Sequence, residues 1–331
     1  GRQDREAGAS AALRGRRVNR VVTQRDFDRF AALSRDDNPI HCDPAFARGT
    51  HFGATVAHGM FLYGLICGAL TRHLAAPWMP IAQTLMFPAP TFARDATTVH
   101  LRASEPADNF DVGVEVRRNG RGIDTAIGEC VVLRAFAVDA GTRPSTLRVD
   151  EPDTLPSDTG PDTLPLDTGP DTVPLADDRA AKSGAPPAEG GSLFGLAPGQ
   201  RAKAARRFGH ADLDEYAELC ADGNPLVLDE AAARRAGLPA RIVPSPLLSG
   251  MFSDLLGTKL PGRGTAWMKQ SLRFVKPAHP GQLLQAMVEI VRVRPDKQLV
   301  NLRSTVRDIS GALLVDGESL VLVRHLERAR G

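Results

Sequence analysis

The sequence predicts an α+β protein made of two similar units, each with one long central helix wrapped by a curved antiparallel sheet. The same order of elements occurs twice in the 331 residues, on either side of a low-complexity tract. Each copy contains one stretch that is apolar on nearly every face, as expected of a helix enclosed by other structure. Each also contains four segments in which apolar and polar residues alternate, which is typical of strands with one buried face.

Each unit begins with a short amphipathic helix. The capping-box pattern from Thr23 to Asp26 is followed by apolar residues at helical spacing, which predicts a helix that ends near Ser34. The segment from Leu213 to Leu219 repeats that spacing in the second unit. The order of elements therefore starts in the same way in both copies.

The long apolar helix is predicted over Ala57 to Leu74 in the first unit. In the second unit it is predicted over Leu247 to Leu256, entered through the segment Ser249 to Phe252. The first helix contains three glycines, Gly59, Gly64 and Gly68. Because a glycine inside a helix costs about 1 kcal/mol relative to alanine, we expect a sheet or a ligand to approach this backbone closely.

Alternating segments predict four strands in each unit. In the first unit they are Ile81 to Phe92, Thr97 to Ala103, Phe110 to Val116 and Ile123 to Val138. In the second unit they are Trp267 to Val275, Leu283 to Val293, Leu299 to Val306 and Ala312 to Val323. Turn residues such as those at 118–120 separate neighbouring segments, and this arrangement predicts antiparallel pairing.

The low-complexity tract predicts a disordered linker. Residues 153–161 recur almost unchanged at 162–170, in a region rich in Pro, Asp, Thr and Gly. Such a tract cannot bury enough apolar surface to offset its chain entropy. We therefore expect a flexible tail at 1–17, a first unit at 18–140, a linker at 141–191 and a second unit at 192–331.

Composition argues against several classes of protein. The net charge is only +2 and no apolar run is long enough to span a bilayer, so we expect a cytoplasmic protein that binds neither nucleic acid nor membrane. The basic segment Arg201 to Arg207 is interpreted as a solvated face, with contact to phosphates or an acidic carrier protein as the alternative. The four cysteines show no CxxC spacing, which predicts reduced core thiols.

The chemistry is predicted at one loop and one helix start. Asp36 and His41 flank Asn38 in the segment Ser-Arg-Asp-Asp-Asn-Pro-Ile-His, where an acid and a base can share one water. The amide of Gly59, near the start of the long helix, is a candidate oxyanion donor. The second copy has Val227 where the first has His41, so Asp222 is left without a visible partner.

The first unit resembles the MaoC-like (R)-specific enoyl-CoA hydratases and dehydratases of the hot-dog fold. The resemblance lies in Phe30-Ala-Ala-Leu-Ser-Arg-Asp-Asp-Asn-Pro-Ile-His-Cys-Asp43 and Val56-Ala-His-Gly-Met60, and in the second unit in Leu256-Gly-Thr-Lys-Leu-Pro-Gly262 and Gln270-Ser-Leu-Arg-Phe274. It implies a double hot-dog fold and a hydro-lyase acting on thioesters of coenzyme A or acyl carrier protein. In tandem hydratases of the peroxisomal type the working motif lies in the C-terminal half, whereas here it lies in the N-terminal half.

Carried over from the family, the catalytic residues are Asp36, His41 and Gly59, and the residues expected to contact substrate are Asn38, His58 and Met60. No metal is expected, because the spacing of the first unit's histidines matches no common ligand pattern. The reaction needs no cofactor. The second unit is expected to complete a shared sheet and shape the acyl pocket, giving an internal pseudo-dimer that can associate further.

Alternative functions remain open from the sequence alone. The same site can add an amine or another nucleophile to an enoyl thioester, a hot-dog thioesterase would release a free thiol, and a non-catalytic subunit would only bind the acyl group. Chain length, carrier and direction of the reaction are not encoded in these motifs.

Overall fold

The structure, a computed structural model, describes residues 16–74, 77–104, 109–118, 122–134, 193–324 and 326. The predicted linker at 141–191, nearly all of the predicted tail at 1–17, part of the turn at 118–120 and the end of the strand predicted to reach Val138 lie outside these ranges. The proposed domain boundaries therefore stay predictions.

The first half contains five strands and four helices among its described residues. In chain order they are β1 (Arg16–Val21), α1 (Gln24–Ser34), α2 (Pro39–Cys42), α3 (Pro44–Arg48), α4 (Gly59–His73), β2 (Trp78–Met86), β3 (Ala96–Ser104), β4 (Asn109–Arg118) and β5 (Ile123–Arg134). The predicted amphipathic helix and the long apolar helix are both confirmed, as α1 and α4.

The second half repeats this order. Its elements are β6 (Arg201–Arg206), α5 (His210–Cys220), α6 (Pro225–Leu228), α7 (Glu230–Arg235), α8 (Ser245–Thr258), β7 (Ala266–Phe274), β8 (Leu284–Arg294), β9 (Leu299–Asp308) and β10 (Leu313–Leu322). Two single-turn 3₁₀ helices at Leu193–Gly195 and Pro295–Lys297 complete it. The internal duplication predicted from the sequence is thus visible element by element.

All ten strands form one antiparallel sheet in the order β1-β3-β4-β5-β2-β7-β10-β9-β8-β6. The halves join where β2 pairs with β7, with Thr84 opposite Ser271 in the register and their hydroxyls 2.9 Å apart. The pairing of β2 with β7 therefore makes the two five-stranded halves one continuous sheet. The shared sheet expected from the sequence is confirmed.

Local sequence explains the short elements around the predicted motif. The Thr23 hydroxyl and the Asp26 carboxylate exchange hydrogen bonds with each other's backbone N–H, the reciprocal cap that starts α1. Asn38 caps α2 and is followed by Pro39, which suits the first turn of a helix. Asp43 then caps α3. The segment from Asp36 to Asp43 is consequently fixed by consecutive helix caps and does not form an irregular loop.

The two long helices, α4 and α8, pack against each other and against the sheet, with α1 and α5 beside them. A side chain at Gly64 would collide with the Cys220 sulfur, and one at Gly68 with the Cys220 carbonyl oxygen. Because both glycines are in contact with the end of α5, the close approach predicted for α4 comes from the other half of the chain. The sheet and a ligand, which the sequence suggested, are not the approaching groups at these two positions.

Three details differ from the sequence-based prediction. The basic segments that include Arg16–Val21 and Arg201–Arg206 form the two edge strands, which were not predicted. The helix α8 begins at Ser245, so the segment from Ser249 lies inside it and does not form its entrance. Strand β2 ends at Met86, well short of the predicted Phe92.

No described helix is long and apolar enough to cross a membrane. The four cysteines are unpaired, and Cys67, Cys130 and Cys220 are buried while Cys42 is partly exposed. The predicted position of the cysteines in the core is confirmed for the three buried residues.

Candidate active site

Asp36 lies at the turn that follows α1. Arg35, which has a left-handed backbone (φ 65°), ends the helix and turns the chain so that the Asp36 side chain points inward. The residue is only 1 % exposed. Its Oδ1 accepts a hydrogen bond from the Asn38 N–H at 3.2 Å, and its Oδ2 accepts a short hydrogen bond from the Ser253 hydroxyl.

His41 lies one turn further along, in α2. Its Nδ1 is 2.7 Å from the Val56 carbonyl oxygen. Because a carbonyl only accepts, Nδ1 carries the proton, and Nε2 of the neutral ring is an acceptor. This Nε2 is 3.9 Å from Asp36 Oδ2. One water molecule can hydrogen-bond to both atoms at that separation.

His58 packs beneath this pair. Its ring stacks on the His41 ring with centroids 3.8 Å apart, and its Nε2 donates to the Asp36 carbonyl oxygen at 3.0 Å. The residue is fully buried. His58 therefore orients both Asp36 and His41 from below, and it does not line the cavity described below.

Burial shifts the two titrating groups in opposite directions. It raises the pKa of Asp36 to about 7, although the Ser253 hydroxyl and the Asn38 N–H favour the carboxylate. It lowers the pKa of His41 to about 4, partly offset by the bond to Val56. Near neutral pH the imidazole is therefore neutral while the carboxyl group exchanges its proton, a state suited to acid-base chemistry.

Gly59 is the first residue of α4. Its N–H has no acceptor within the helix, and no side chain caps this terminus. A Cβ here would lie 2.7 Å from the Phe87 ring, so the ring lies directly against the glycine. The positive end of the helix dipole and a free amide thus face the same cavity as Asp36 and His41.

A cavity of about 70 Å³ joins these groups. Its lining includes Asp36, Asn38, His41 and Gly59 of the first half and Ser253, Leu256, Gly257 and Thr265–Met268 of the second half. Met60, predicted to contact substrate, is fully buried outside this lining, where its sulfur accepts a hydrogen bond from Gln270. His58 and Met60 thus lie in the layer behind the cavity.

The second half supplies contacts that the sequence analysis missed. Ser253 donates to Asp36, and the Asn38 amide donates to the Thr265 carbonyl oxygen at 2.9 Å. A Cβ at Gly257 would lie 2.6 Å from Asp36 Oδ1. The only signal in the sequence was that Ser253 and Gly257 are two small residues on one face of a helix. Local patterns do not indicate which helices pack together, so this signal could not be tied to Asp36.

The equivalent place in the second half is filled. The Asp222 carboxylate, expected to lack a partner, accepts hydrogen bonds from the Thr71 hydroxyl at 2.6 Å and the Tyr216 hydroxyl at 3.0 Å. That expectation was wrong, because hydroxyls of both halves replace the missing histidine. Val227 is buried there, and Ser245 stands at the helix start where Gly59 stands in the first half.

Metal binding is the remaining chemical possibility among the described residues. Asp36, His41 and His58 each present a ligand atom within 4.8 Å of the others. The two rings are stacked at only 27° to each other with centroids 3.8 Å apart, so their nitrogen lone pairs lie in two separate, nearly parallel planes. One ion cannot lie in the plane of both rings, and this geometry suits a water better than a metal.

Comparison with known proteins agrees with the motif. Residues 9–120 and 194–312 match the family model described as MaoC like domain. The (R)-specific enoyl-CoA hydratase of Aeromonas caviae is 40% identical over 130 residues, covering 39% of this chain and 97% of the relative. The 3-hydroxybutyryl-CoA dehydratase of Methylorubrum extorquens is 33% identical over 119 residues, covering 36% of this chain and 75% of that relative.

Solved structures extend the likeness to the whole fold. A MaoC-like dehydratase superposes with a TM-score of 0.66 at 19% identity, covering 93% of this chain and 97% of its own. A Mycobacterium tuberculosis protein described as having a double hotdog fold gives 0.60 at 16% identity, covering 93% and 96%. The resemblance predicted from the sequence is confirmed: the chain belongs to the MaoC-like family and has the double hot-dog fold.

Proposed function

We propose that the chain is a hydro-lyase that adds water to a trans-2-enoyl thioester to give an (R)-3-hydroxyacyl thioester, and catalyses the reverse dehydration. The observation that carries this proposal is the placement of Asp36 Oδ2, His41 Nε2 and the Gly59 amide around one cavity. Relatives named as (R)-specific enoyl-CoA hydratases and a 3-hydroxybutyryl-CoA dehydratase support the reaction class and its stereochemistry.

In the hydration direction, a water bridges Asp36 and His41. His41 Nε2 takes one proton as the water oxygen bonds to C3 of the enoyl group. The electron pair of the double bond moves toward the thioester carbonyl, whose developing negative charge the Gly59 N–H stabilises. The protonated Asp36 carboxyl delivers its proton to C2. The proton on His41 then returns to Asp36, 3.9 Å away, and the pair is restored.

The second half takes part without its own acid-base pair. Ser253 donates to the Asp36 carboxylate, and Leu256, Trp267 and Met268 form an apolar wall of the cavity. We assign catalysis to the first half, residues 18–140, and support of the site to the second half, residues 192–331. The acyl group is carried on coenzyme A or on an acyl carrier protein, as it is in the relatives' names.

The test is to incubate the purified chain with a trans-2-butenoyl thioester of coenzyme A and follow both the conjugated double bond and free thiol. We expect loss of the double bond without thiol release. His41→Ala should lower kcat/KM by about 10²- to 10⁴-fold, the usual contribution of such a group. His51→Ala is the matched control, because His51 is exposed and outside the cavity.

The same assay separates the alternatives. Release of thiol would identify a thioesterase, and loss of the double bond only when an amine is present would identify addition of another nucleophile. Binding of the thioester without turnover by either route would leave a non-catalytic acyl-binding subunit.

A further inference from the structure

A second cavity, of about 260 Å³, lies between the edge strand β6 and the helix α8. It is separate from the candidate active site and shares no lining residue with it. Its lining consists of Ser34, Arg35, Ala204, Ala205, Arg206, Met251, Asp254 and Lys259. Three of these side chains are cationic and one is acidic, so the cavity has an excess of positive charge.

Arg206 is the unusual residue of this lining. Its side chain is only 6% exposed, and its guanidinium stacks over the Phe208 ring at 4.3 Å. Among the described residues, its Nε and Nη1 have no hydrogen-bond partner. The contact from Nη2 to Asp212 is 3.4 Å, which is long for a charge-assisted hydrogen bond. A buried charge left in this state is costly unless a counter-charge completes it.

The first half provides an internal comparison. Arg20, at the end of β1, corresponds to Arg206 at the end of β6. Its guanidinium donates to the Leu219 carbonyl oxygen and to Asp26 Oδ1, the latter at 2.7 Å. Arg20 is thus held by two acceptors of the protein, whereas Arg206, in the same place in the fold, has one long contact and a larger cavity beside it.

We propose that this cavity binds the phosphate group of a small phosphorylated molecule, with Arg206 as its central ligand and Lys259 and Arg35 at the rim. A guanidinium presents paired N–H donors that match phosphate oxygens, and partly buried positions strengthen that interaction. Both rim residues are exposed, which gives an anion access from solvent. Asp254 offsets one of the three cations in the lining, so an excess of positive charge remains for an anion.

The cavity touches both segments that hold the Asp36 carboxylate. Arg35 directly precedes Asp36, and Asp254 directly follows Ser253. An occupant of the cavity therefore contacts the end of α1 and the middle of α8, next to the residues that line the candidate active site. Because the cavity shares no lining residue with the candidate active site, its occupancy can be measured as ligand binding, without turnover of thioester.

The test is isothermal titration calorimetry of inorganic phosphate into the full chain at constant ionic strength. We expect saturable binding at one site. Arg206→Gln should weaken it by about tenfold or more, the loss expected for charge-assisted hydrogen bonds. Arg207→Gln is the matched control and should bind as the wild type does, because Arg207 lies outside the lining and donates to the Gly281 carbonyl oxygen.

Lys259→Gln removes an exposed rim charge and should weaken binding severalfold, so it decides the matter if Arg206→Gln fails to fold. The proposal would be overturned if the wild type showed no saturable binding. It would also be overturned if folded Arg206→Gln and Lys259→Gln bound phosphate as tightly as the wild type. A repeat with saturating coenzyme A and with its 3′-dephospho form distinguishes the source of the phosphate. Competition by coenzyme A alone assigns the site to its 3′-phosphate, and absence of competition assigns it to a free phosphorylated molecule.

Discussion

Replacing Asp36 with asparagine should stabilise the fold while abolishing hydration. Burial raises the pKa of Asp36 from 3.8 to about 7. The unfolded chain loses this proton near pH 4 and the folded chain retains it to about pH 7, so ionisation favours unfolding and stability falls across that range. At ~1.4 kcal/mol per pKa unit, the cost at pH 8 is on the order of 4 kcal/mol, and Asp36→Asn removes it.

Urea unfolding of wild type and variant between pH 4 and pH 8 measures this effect. We expect the two free energies of unfolding to be similar at pH 4 and to diverge as the pH rises, with the variant more stable by at least ~1 kcal/mol at pH 8. Glu215→Gln is the control, because the hydrogen bond from Arg29 lowers the pKa of the Glu215 carboxyl, so that its loss should not stabilise the fold as the pH rises. A difference that does not change with pH, or a less stable Asp36→Asn at pH 8, would refute the reasoning.

Three further substitutions test the candidate site. Ser253→Ala removes a donor that favours the carboxylate, so the pKa of Asp36, followed by carbon NMR of the carboxyl group, should rise further. Gly257→Ala places a methyl group 2.6 Å from Asp36 Oδ1, and we expect kcat/KM for hydration to fall about tenfold or more. If both kcat and KM stayed unchanged, this mechanism would be contradicted. Gly59→Ala collides with the Phe87 ring at 2.7 Å and should lower kcat, and the added change Phe87→Leu should restore part of it.

Much of the fold was readable because strong local patterns agreed with burial. The capping box at Thr23 and the apolar run after Gly59 predicted α1 and α4 closely. The edge strands β1 and β6 were not predicted, because each has only six residues, half of which are arginine or lysine, so nothing in them indicates a buried face. Charged side chains on an edge strand discourage its pairing with the strand of another molecule.

Only those residues of the candidate site that lie close together in the sequence could be predicted. Asp36, Asn38 and His41 stand close together in sequence, and their spacing carries a chemical meaning. Ser253 and Gly257 were not predicted, because their role depends on packing against Asp36 across the molecule. The segment Gly250-Met-Phe252 repeats Gly59-Met-Phe61 but lies one turn inside its helix, because a shared tripeptide does not fix where a helix begins.

The continuous ten-stranded sheet also bears on how such a chain can change. In a dimer of identical subunits, every substitution alters both sites at once. Here the two halves are joined through β2 and β7 in one chain, so they can vary independently. The second half has Val227 in place of a histidine equivalent to His41, and its Asp222 accepts a hydrogen bond from the Tyr216 hydroxyl. Because the two copies can differ, each can specialise: in the proposed mechanism the first copy carries the acid-base pair, and the second copy holds the Asp36 carboxylate through Ser253.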